Sequence, residues 1–76
     1  MRLELLTRPE CHLCDDAKAL LEQAGIAWEP VNIESSIQLL KNYGTRIPVI
    51  RDSNGNELPW PFDLGQLLAF WQSARG

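Results

Sequence analysis

Apolar positions in the first third of the chain change from the spacing of a strand to that of a helix. Residues 2–6 carry a short run of leucines that predicts a buried strand. Over residues 12–24 the apolar positions predict an amphipathic helix, and they are Leu13, Ala17, Leu20, Leu21 and Ala24. Gly25 follows directly and is the residue type expected just after a helix C-terminus.

A second strand is predicted over residues 26–33, and its proline indicates where it lies in the sheet. Pro30 cannot donate a hydrogen bond to a neighbouring strand, so this strand should be an edge strand. A strand, a helix and a strand of these lengths form a βαβ unit with a right-handed crossover and parallel strands. The apolar first strand is therefore expected to lie in the centre of the sheet.

The middle of the chain predicts a short helix. Ser35 and Gln38 have the spacing of a capping box, with Ser35 as the N-cap. Gly44 should end this helix. Its residues expected to point inward are Ile37, Leu40 and Tyr43.

A hairpin is predicted next, in which residues 46–51 form a third strand that contains Pro48. Asn54-Gly55 is a strong signal for a type I′ turn, which would return residues 56–58 as a fourth, antiparallel strand. With one more helix the order is β-α-β-α-β-β-α. This order predicts an α/β fold with a four-stranded mixed sheet and helices on both of its faces.

The last helix is predicted from a second capping box, formed by Asp63 and Gln66. Its expected inward residues are Leu64, Leu67, Leu68 and Trp71. Residues 73–76 are expected to fray. Trp28 and Trp71 are assigned to the core, and Trp60 is expected to pack against the last helix.

Length and charge restrict the class of protein. A chain of 76 residues forms one domain, residues 1–76, with a small hydrophobic core. The net charge of −3 and the pI near 4.9 argue against nucleic acid and anionic membranes as partners. The charged N-terminal residues do not resemble a signal peptide, so we expect a cytoplasmic monomer.

Candidate chemistry is concentrated in Cys11-His12-Leu13-Cys14, which contains both cysteines and the single histidine of the chain. Cysteines at i and i+3 of a helix share one face, with Cα atoms roughly 5 Å apart, so they can form a disulfide. Cys11 lies at the predicted junction of strand and helix, where the helix dipole and free N–H groups favour a thiolate. Cys14 lies one turn inside. We therefore expect an attacking and a resolving sulfur, as in a redox pair.

Other interpretations of the cysteines remain open at this point. A zinc site needs four ligands, and one chain offers at most Cys11, His12 and Cys14. A dimer could bind a metal or an iron–sulfur cluster with thiolates from both subunits. The cysteines could also be inert core residues, or belong to an interaction module that does not turn over. A structural disulfide is disfavoured in a reducing compartment.

The chain resembles the glutaredoxin-like proteins of the thioredoxin-fold superfamily over nearly its full length. The resemblance rests on the C-x-x-C after the first strand, on Thr45-Arg46-Ile47-Pro48 before the third strand, and on the order of elements. Compact bacterial glutaredoxin-like domains with an acidic pair after the second cysteine, here Asp15-Asp16, are the most similar. The resemblance implies a thioredoxin fold and thiol–disulfide oxidoreductase activity.

The resemblance also implies roles for individual residues. Cys11 matches the nucleophile and Cys14 the resolving cysteine, while Pro48 matches a cis-proline beside the disulfide. Ile47 would pair its backbone with an extended substrate, in the manner of an added β-strand. The substrate would be a disulfide-containing protein or a glutathione mixed disulfide. No cofactor would be bound, and glutathione or a reductase would donate the electrons.

Four further site residues are assigned with their alternatives. A protonated His12 would favour the neighbouring thiolate, and the alternative is an exposed residue at the helix start with little effect. Asp15 would raise the pKa of that thiol, and the alternative is that it only suits the helix N-terminus. Arg8 matches a basic position that helps to hold the glutathione carboxylate, and the alternative is a solvated surface arginine. Asp63 could reach the γ-glutamyl amine of glutathione, and the alternative is that it only caps its helix.

Two departures from the family pattern bear on the substrate. Glutaredoxins carry Pro-Tyr between the cysteines, where this chain has His12-Leu13. They place two glycines and an acidic or hydroxyl residue after the hairpin, where this chain has Leu58-Pro59-Trp60-Pro61-Phe62-Asp63. We therefore expect weaker glutathione binding than in a standard glutaredoxin.

Overall fold

The computed structural model describes residues 2–75, and the elements follow the predicted order. The strands are β1 (Leu3–Thr7), β2 (Trp28–Asn32), β3 (Val49–Arg51) and β4 (Glu57–Pro59). The helices are α1 (His12–Ala24), α2 (Ile37–Tyr43) and α3 (Leu64–Arg75). One short 3₁₀ helix, Ile33–Ser35, lies between β2 and α2 and was not predicted.

The sheet has the strand order β2-β1-β3-β4, which confirms β1 as a central strand and β2 as an edge strand. β1 runs parallel to β2 and antiparallel to β3, and β4 returns antiparallel to β3. Helix α1 has the predicted bounds, and Gly25 adopts the left-handed conformation with φ of 70°. Gly25 thereby lets the chain turn from the helix directly into β2, because a left-handed backbone carries no steric penalty at glycine.

Alternating residues of the strands feed two separate apolar cores, one on each face of the sheet. Helices α1 and α3 cover the face that carries Leu3, Leu5 and Ile50, and the buried residues that they contribute to this core are Ala17, Leu21 and Leu67. Helix α2 covers the opposite face, and the buried residues there are Leu6, Ile33, Tyr43 and Val49. Trp28, Trp60 and Trp71 are half-buried and pack against the first core.

The prediction for α2 was wrong by one residue at its start, and of its three residues expected to point inward only Tyr43 is buried. Ser36, not Ser35, caps the helix, and its hydroxyl accepts a hydrogen bond from the Leu39 amide. The hydroxyl of Ser35 instead donates to the carbonyl of Asn32 within the 3₁₀ helix, so Ser35 cannot act as the cap. Ile37 is 79% exposed, and Leu40 is also exposed.

The turn between β3 and β4 also differs from its prediction. A type I′ turn requires positive φ at both central residues. Within residues 2–75 Glu10 is the only residue other than glycine with a positive φ, so the φ of Asn54 is not positive. Gly55 has a φ of 87°. The Gly55 amide donates to the Asp52 carbonyl at 3.2 Å, so the turn spans Asp52 to Gly55. Glycine at the last position of such a turn is common.

One boundary of β3 and one boundary of α3 were also predicted inaccurately. β3 begins at Val49 rather than at residue 46. Helix α3 continues to Arg75 instead of fraying from residue 73. The Arg75 guanidinium lies 4.5 Å from the ring centre of Trp71, and this cation–π contact stabilises the last turn.

The carboxylate of Asp52 organises the hairpin turn and gives the fold a pH-dependent contribution. It accepts hydrogen bonds from the amides of Asn54 and Asn56 and from the Asn56 side chain, at 2.8 to 3.0 Å. Burial acts to raise the pKa of Asp52, but these hydrogen bonds to the charged form, with the Gly55 amide, lower the pKa below its ordinary value.

Stability is therefore expected to depend on the ionisation of Asp52. Because the folded-state pKa is lowered, the stabilisation is complete above the unfolded-state value of 3.8 and is lost as the pH falls through the folded-state value. Asp52→Asn should lower the free energy of unfolding at neutral pH, and should reduce its dependence on pH in the acid range. Urea unfolding of both proteins across that range tests this. Asp16→Asn, which removes an exposed carboxylate, is the control and should change the acid dependence less than Asp52→Asn does.

Candidate functional site

The loop from β1 to α1 places Cys11 at the N-terminus of the helix, directly before its first residue. Cys11 is the N-cap of α1, with extended backbone angles, and its carbonyl accepts the first helical hydrogen bond, from the Asp15 amide. Glu10, immediately before it, has a left-handed backbone with φ of 59°. A left-handed conformation is uncommon outside glycine, so the loop turns sharply at the residue that precedes the cysteine.

Cys11 and Cys14 are joined by a disulfide, and their Cα atoms lie 5.2 Å apart. The two sulfurs differ in their surroundings, because Cys14 is only 1% exposed whereas Cys11 is half-buried. The Cys14 amide donates a hydrogen bond to the Cys11 sulfur at 3.2 Å. An amide aimed at a sulfur from the helix N-terminus stabilises negative charge there once the disulfide is reduced. The predicted asymmetry between the two cysteines is thus present in the geometry.

The residues beside the cysteines are exposed, including one apolar residue. The buried residues of α1 are Cys14, Ala17 and Leu21, so Leu13 lies off this stripe and is 48% exposed. Leu13 was counted among the apolar positions of the helix, and it does not belong to the buried face. His12 is exposed, and Asp15 pairs with Lys18 at 3.8 Å. The roles proposed for His12 and Asp15 toward the Cys11 thiolate stay predictions.

The segment before β3 and the segment after β4 lie at the same end of the sheet as the C-terminal end of β1. Val49 pairs with Leu6 on one side and with Pro59 on the other. The peptide bonds Ile47–Pro48 and Trp60–Pro61 are both cis. Pro48 is fully buried. The backbone of Ile47 takes part in no hydrogen bond between the residues that the structure describes, so it is available to a bound chain.

A contact that was not predicted connects these two segments. The Trp60 amide donates to the Pro48 carbonyl at 3.0 Å, and the Trp60 ring packs edge to face against Phe62. No local signal indicates this hydrogen bond, because it depends on the register of the hairpin. It fixes the Pro59–Pro61 segment beside Pro48 and uses the one backbone N–H that this segment possesses.

Arg8 and Asp63, the two residues assigned to glutathione, each have a partner within the chain. The Arg8 guanidinium pairs with the Glu34 carboxylate at 2.8 Å on the exposed surface. Asp63 and Gln66 form the predicted capping box, in which the Gln66 amide donates to Asp63 and the Asp63 amide donates to the Gln66 side chain. The capping role of Asp63 is confirmed by these contacts, and a role of either residue in glutathione binding stays a prediction.

Two substitutions separate the capping role of Asp63 from a binding role. Asp63→Ala is expected to lower the free energy of unfolding by about 1 kcal/mol, because it removes an N-cap acceptor. Asp63→Asn keeps an acceptor oxygen but removes the charge, so it should unfold close to the wild type. If Asp63 also binds the γ-glutamyl amine, Asp63→Asn should slow the turnover of a glutathionylated peptide without a change in stability. Denaturant unfolding and turnover measured on both variants decide the role.

Two surface cavities lie at opposite ends of the sheet. One, of about 250 Å³, lies beside the cysteine loop and is lined by Thr7, Arg8, Pro9, Lys18, Pro30 and Asn32. The other, of about 450 Å³, lies at the far end, where Arg2 pairs with Glu29 and Arg51 pairs with Glu4. The larger cavity is thus away from the disulfide, whereas the smaller one includes Arg8 of the candidate site but not Cys11.

Residues 2–75 bring together no group of three or more histidine, cysteine, aspartate or glutamate residues that could hold a metal ion. No helix within this range has both the length and the apolar character needed to cross a membrane.

Comparisons with known proteins agree with this architecture. The family model described as Glutaredoxin-like domain (DUF836) matches residues 2–71. The X-ray structure of the structural-genomics target protein XcR50 from X. campestris is 45% identical, with a TM-score of 0.88 over 95% of this chain and 97% of that chain. The solution structure of XcR50 is likewise 45% identical, with a TM-score of 0.87 over 97% and 96% of the two chains. No curated protein matches the chain.

Proposed function

The chain belongs to the glutaredoxin-like domain family (DUF836), and from this premise we propose that it is a dithiol thiol–disulfide oxidoreductase. The observation that carries the proposal is the unequal environment of the two cysteines. Cys11 is half-buried at the start of a helix and accepts an amide hydrogen bond, whereas Cys14 is buried one turn inside. Such an arrangement suits one sulfur to attack and the other to resolve.

In the proposed reaction the Cys11 thiolate attacks one sulfur of a substrate disulfide. A disulfide between Cys11 and the substrate forms, and the other substrate sulfur leaves as a thiolate and takes up a proton. The Cys14 thiol then loses its proton and attacks the Cys11 sulfur, and the second substrate sulfur leaves. Two electrons have passed to the substrate, and the Cys11–Cys14 disulfide remains until glutathione or a thiol reductase returns two electrons.

The remaining site residues take positioning roles in this proposal. An extended substrate segment would pair with the free backbone groups of Ile47, beside Pro48. His12 and Asp15 would tune the Cys11 thiolate with opposite effects. Arg8 would contact a carboxylate of a glutathione mixed disulfide, in competition with its ion pair to Glu34. The protein would act as a monomer in the cytoplasm, where thiols are kept reduced.

A single-turnover reaction tests this function. The reduced protein is mixed with an equal amount of an uncharged small disulfide, bis(2-hydroxyethyl) disulfide. The protein thiols and the small-molecule thiols are then quantified separately over time. The proposal expects two small thiols to appear as the two protein thiols disappear. A protein that retains both thiols under these conditions would be an interaction module or a metal-binding protein, and the proposal would be rejected.

A further inference from the structure

Three polar side chains on the α2 side of the sheet form one connected network. The Tyr43 hydroxyl donates a hydrogen bond to the Glu57 carboxylate, and the same carboxylate pairs with the Arg46 guanidinium at 3.6 Å. The Arg46 guanidinium also lies 5.6 Å from the centre of the Tyr43 ring, which is a cation–π contact. Each of the three residues therefore contacts the two others.

The network joins parts of the chain that are distant in sequence. Tyr43 is the last residue of α2, and Glu57 is the first residue of β4. Glu57 lies opposite Arg51 in the sheet, on the same face as Val49, because strand residues two apart share a face. Tyr43 and Val49 both belong to the apolar core under α2, so the network lies at the border of that core.

The two partners of Glu57 differ in their surroundings. Tyr43 is buried, and the hydrogen bond to Glu57, together with burial, raises the pKa of Tyr43 above its ordinary value. The hydroxyl therefore keeps its proton and remains a donor. The side chain of Arg46 is 51% exposed, so it can be replaced without a cavity in the core.

Arg46 directly precedes Ile47, the residue whose backbone is proposed to pair with the substrate. The Arg46 amide donates to the Tyr43 carbonyl at 2.9 Å, so both its backbone and its side chain are held. On the other side of Ile47, the Pro48 carbonyl accepts the Trp60 amide. The Ile47 side chain packs against the core that contains Tyr43. Ile47 is thus fixed by its two neighbours and its own side chain, while its backbone makes no hydrogen bond among residues 2–75.

We propose that Tyr43, Arg46 and Glu57, called here the loop brace, are positioning residues that hold the Ile47 backbone ready to pair with an extended polypeptide disulfide. The proposal rests on the proposed oxidoreductase function and adds the residues that favour polypeptide substrates. A segment that is already ordered loses less conformational entropy when a chain binds to it, so the chain binds more tightly. A small disulfide that reaches only Cys11 gains nothing from this order. The loop brace therefore acts on the KM for polypeptides.

Three substrates of the reduced protein test the loop brace. The first is a peptide disulfide with several residues on each side of the reacting cysteine. The second is the same peptide with methyl groups on the backbone nitrogens beside that cysteine, which then cannot donate hydrogen bonds. The third is bis(2-hydroxyethyl) disulfide, which has no peptide backbone. For the wild-type protein, the KM for the first peptide should be about fivefold lower than for the methylated peptide, because a hydrogen bond to the Ile47 carbonyl is lost.

Variants of the loop brace then identify the residues responsible. Arg46→Gln removes the charge at an exposed side chain, and Tyr43→Phe keeps the ring but removes the hydroxyl. Each should raise the KM for the unmethylated peptide about fivefold, which brings the ratio of the two peptides close to one. Glu29→Gln is the matched control, because Glu29 pairs with Arg2 at the same distance of 3.6 Å at the far end of the sheet. This control should keep the wild-type ratio.

Amide hydrogen exchange gives a readout that does not depend on activity. The Arg46 amide is bonded to the Tyr43 carbonyl, and the Trp60 amide is bonded to the Pro48 carbonyl. In Tyr43→Phe and Arg46→Gln the Arg46 amide should exchange several-fold faster than in the wild type, relative to the amides of β1. A general loss of stability would instead accelerate the exchange of all these amides together.

The possible outcomes separate the loop brace from the proposed function. A preference for the unmethylated peptide that survives in both brace variants, or that is lost in Glu29→Gln, would overturn the loop brace and leave the oxidoreductase function standing. Equal KM values for the two peptides in the wild type, or an equal loss of activity toward all three substrates in the brace variants, would also overturn it. Failure of the wild-type protein to reduce any of the three substrates would reject the oxidoreductase function itself.

Discussion

Replacing Cys11 by serine is expected to abolish disulfide reduction, whereas replacing Cys14 by serine should leave a protein that still forms a mixed disulfide. The first substitution removes the sulfur that lies at the helix start and accepts the Cys14 amide. The second removes the buried sulfur, so the covalent intermediate forms but cannot be resolved within the chain. The expected effect is complete loss of the first covalent step in one variant and accumulation of its product in the other.

Mass spectrometry of the two variants after mixing with a peptide disulfide measures this difference. Cys14→Ser should gain the mass of one peptide, and the linkage should map to Cys11. Cys11→Ser should retain its own mass under the same conditions. Circular dichroism of both variants serves as the control for folding. A peptide adduct on Cys14 in the Cys11→Ser variant, formed as fast as the one on Cys11, would reverse the assignment.

Glutathione is expected to bind more weakly here than in a standard dithiol glutaredoxin, by roughly one to two decades in affinity. A tight site needs backbone N–H groups close to the γ-glutamyl carboxylate, and glycines allow the backbone to approach. Pro59 and Pro61 lack an N–H, and the Trp60 amide is donated to the Pro48 carbonyl. None of the three residues therefore offers a free donor.

The size of this effect follows from the number of hydrogen bonds lost and from what the neighbouring residues can replace. Each charge-assisted hydrogen bond that is lost costs about 1.5–3 kcal/mol. Arg8 recovers part of this only by leaving Glu34, and such an exposed ion pair is worth about 0–1 kcal/mol. The Pro59–Pro61 segment instead presents a stiff apolar edge beside Pro48, which suits a polypeptide better than a charged tripeptide.

Turnover of a glutathionylated peptide and turnover of a protein disulfide, measured in one buffer beside a standard dithiol glutaredoxin, test the selectivity. The ratio of the two rates should favour the protein disulfide here, and the KM for glutathione should be higher than in the standard enzyme. Equal or faster deglutathionylation with a comparable KM for glutathione would show that the two prolines and Trp60 do not weaken the site.

Those elements that carry strong local signals could be predicted from the sequence. The spacing of the apolar residues determines the type of element locally. Pro30 restricts its own strand to an edge, and Gly25 ends the helix before it. The structure agrees with each of these predictions. The position of α2 could not be predicted to the residue, because Ser35 and Ser36 are both competent caps. The choice between them follows from the 3₁₀ helix after Asn32, whose carbonyl takes the Ser35 hydroxyl.

In the candidate site, too, features set by neighbouring residues could be predicted, and features set by residues distant along the chain could not. The cysteine pair and the Asp63–Gln66 capping box are set by spacing along the chain, so they were found. The Trp60–Pro48 hydrogen bond joins residues twelve apart through the register of the hairpin, and spacing carries no sign of it. The exposure of Leu13 was missed although the bounds of α1 were predicted correctly, because the buried stripe of the helix runs through Cys14, Ala17 and Leu21 and Leu13 lies beside it.

The most direct test of the account is the order in which the two cysteines of the reduced wild-type protein react with a limiting amount of iodoacetamide at mildly acidic pH. The thiolate is the reactive form, and the helix start stabilises it at Cys11, whereas Cys14 is buried. Peptide mapping by mass spectrometry should then find the first label on Cys11, with Cys14 modified only after denaturation. Labelling of Cys14 first, or of both cysteines at equal rates, would contradict the assignment of Cys11 as the attacking sulfur.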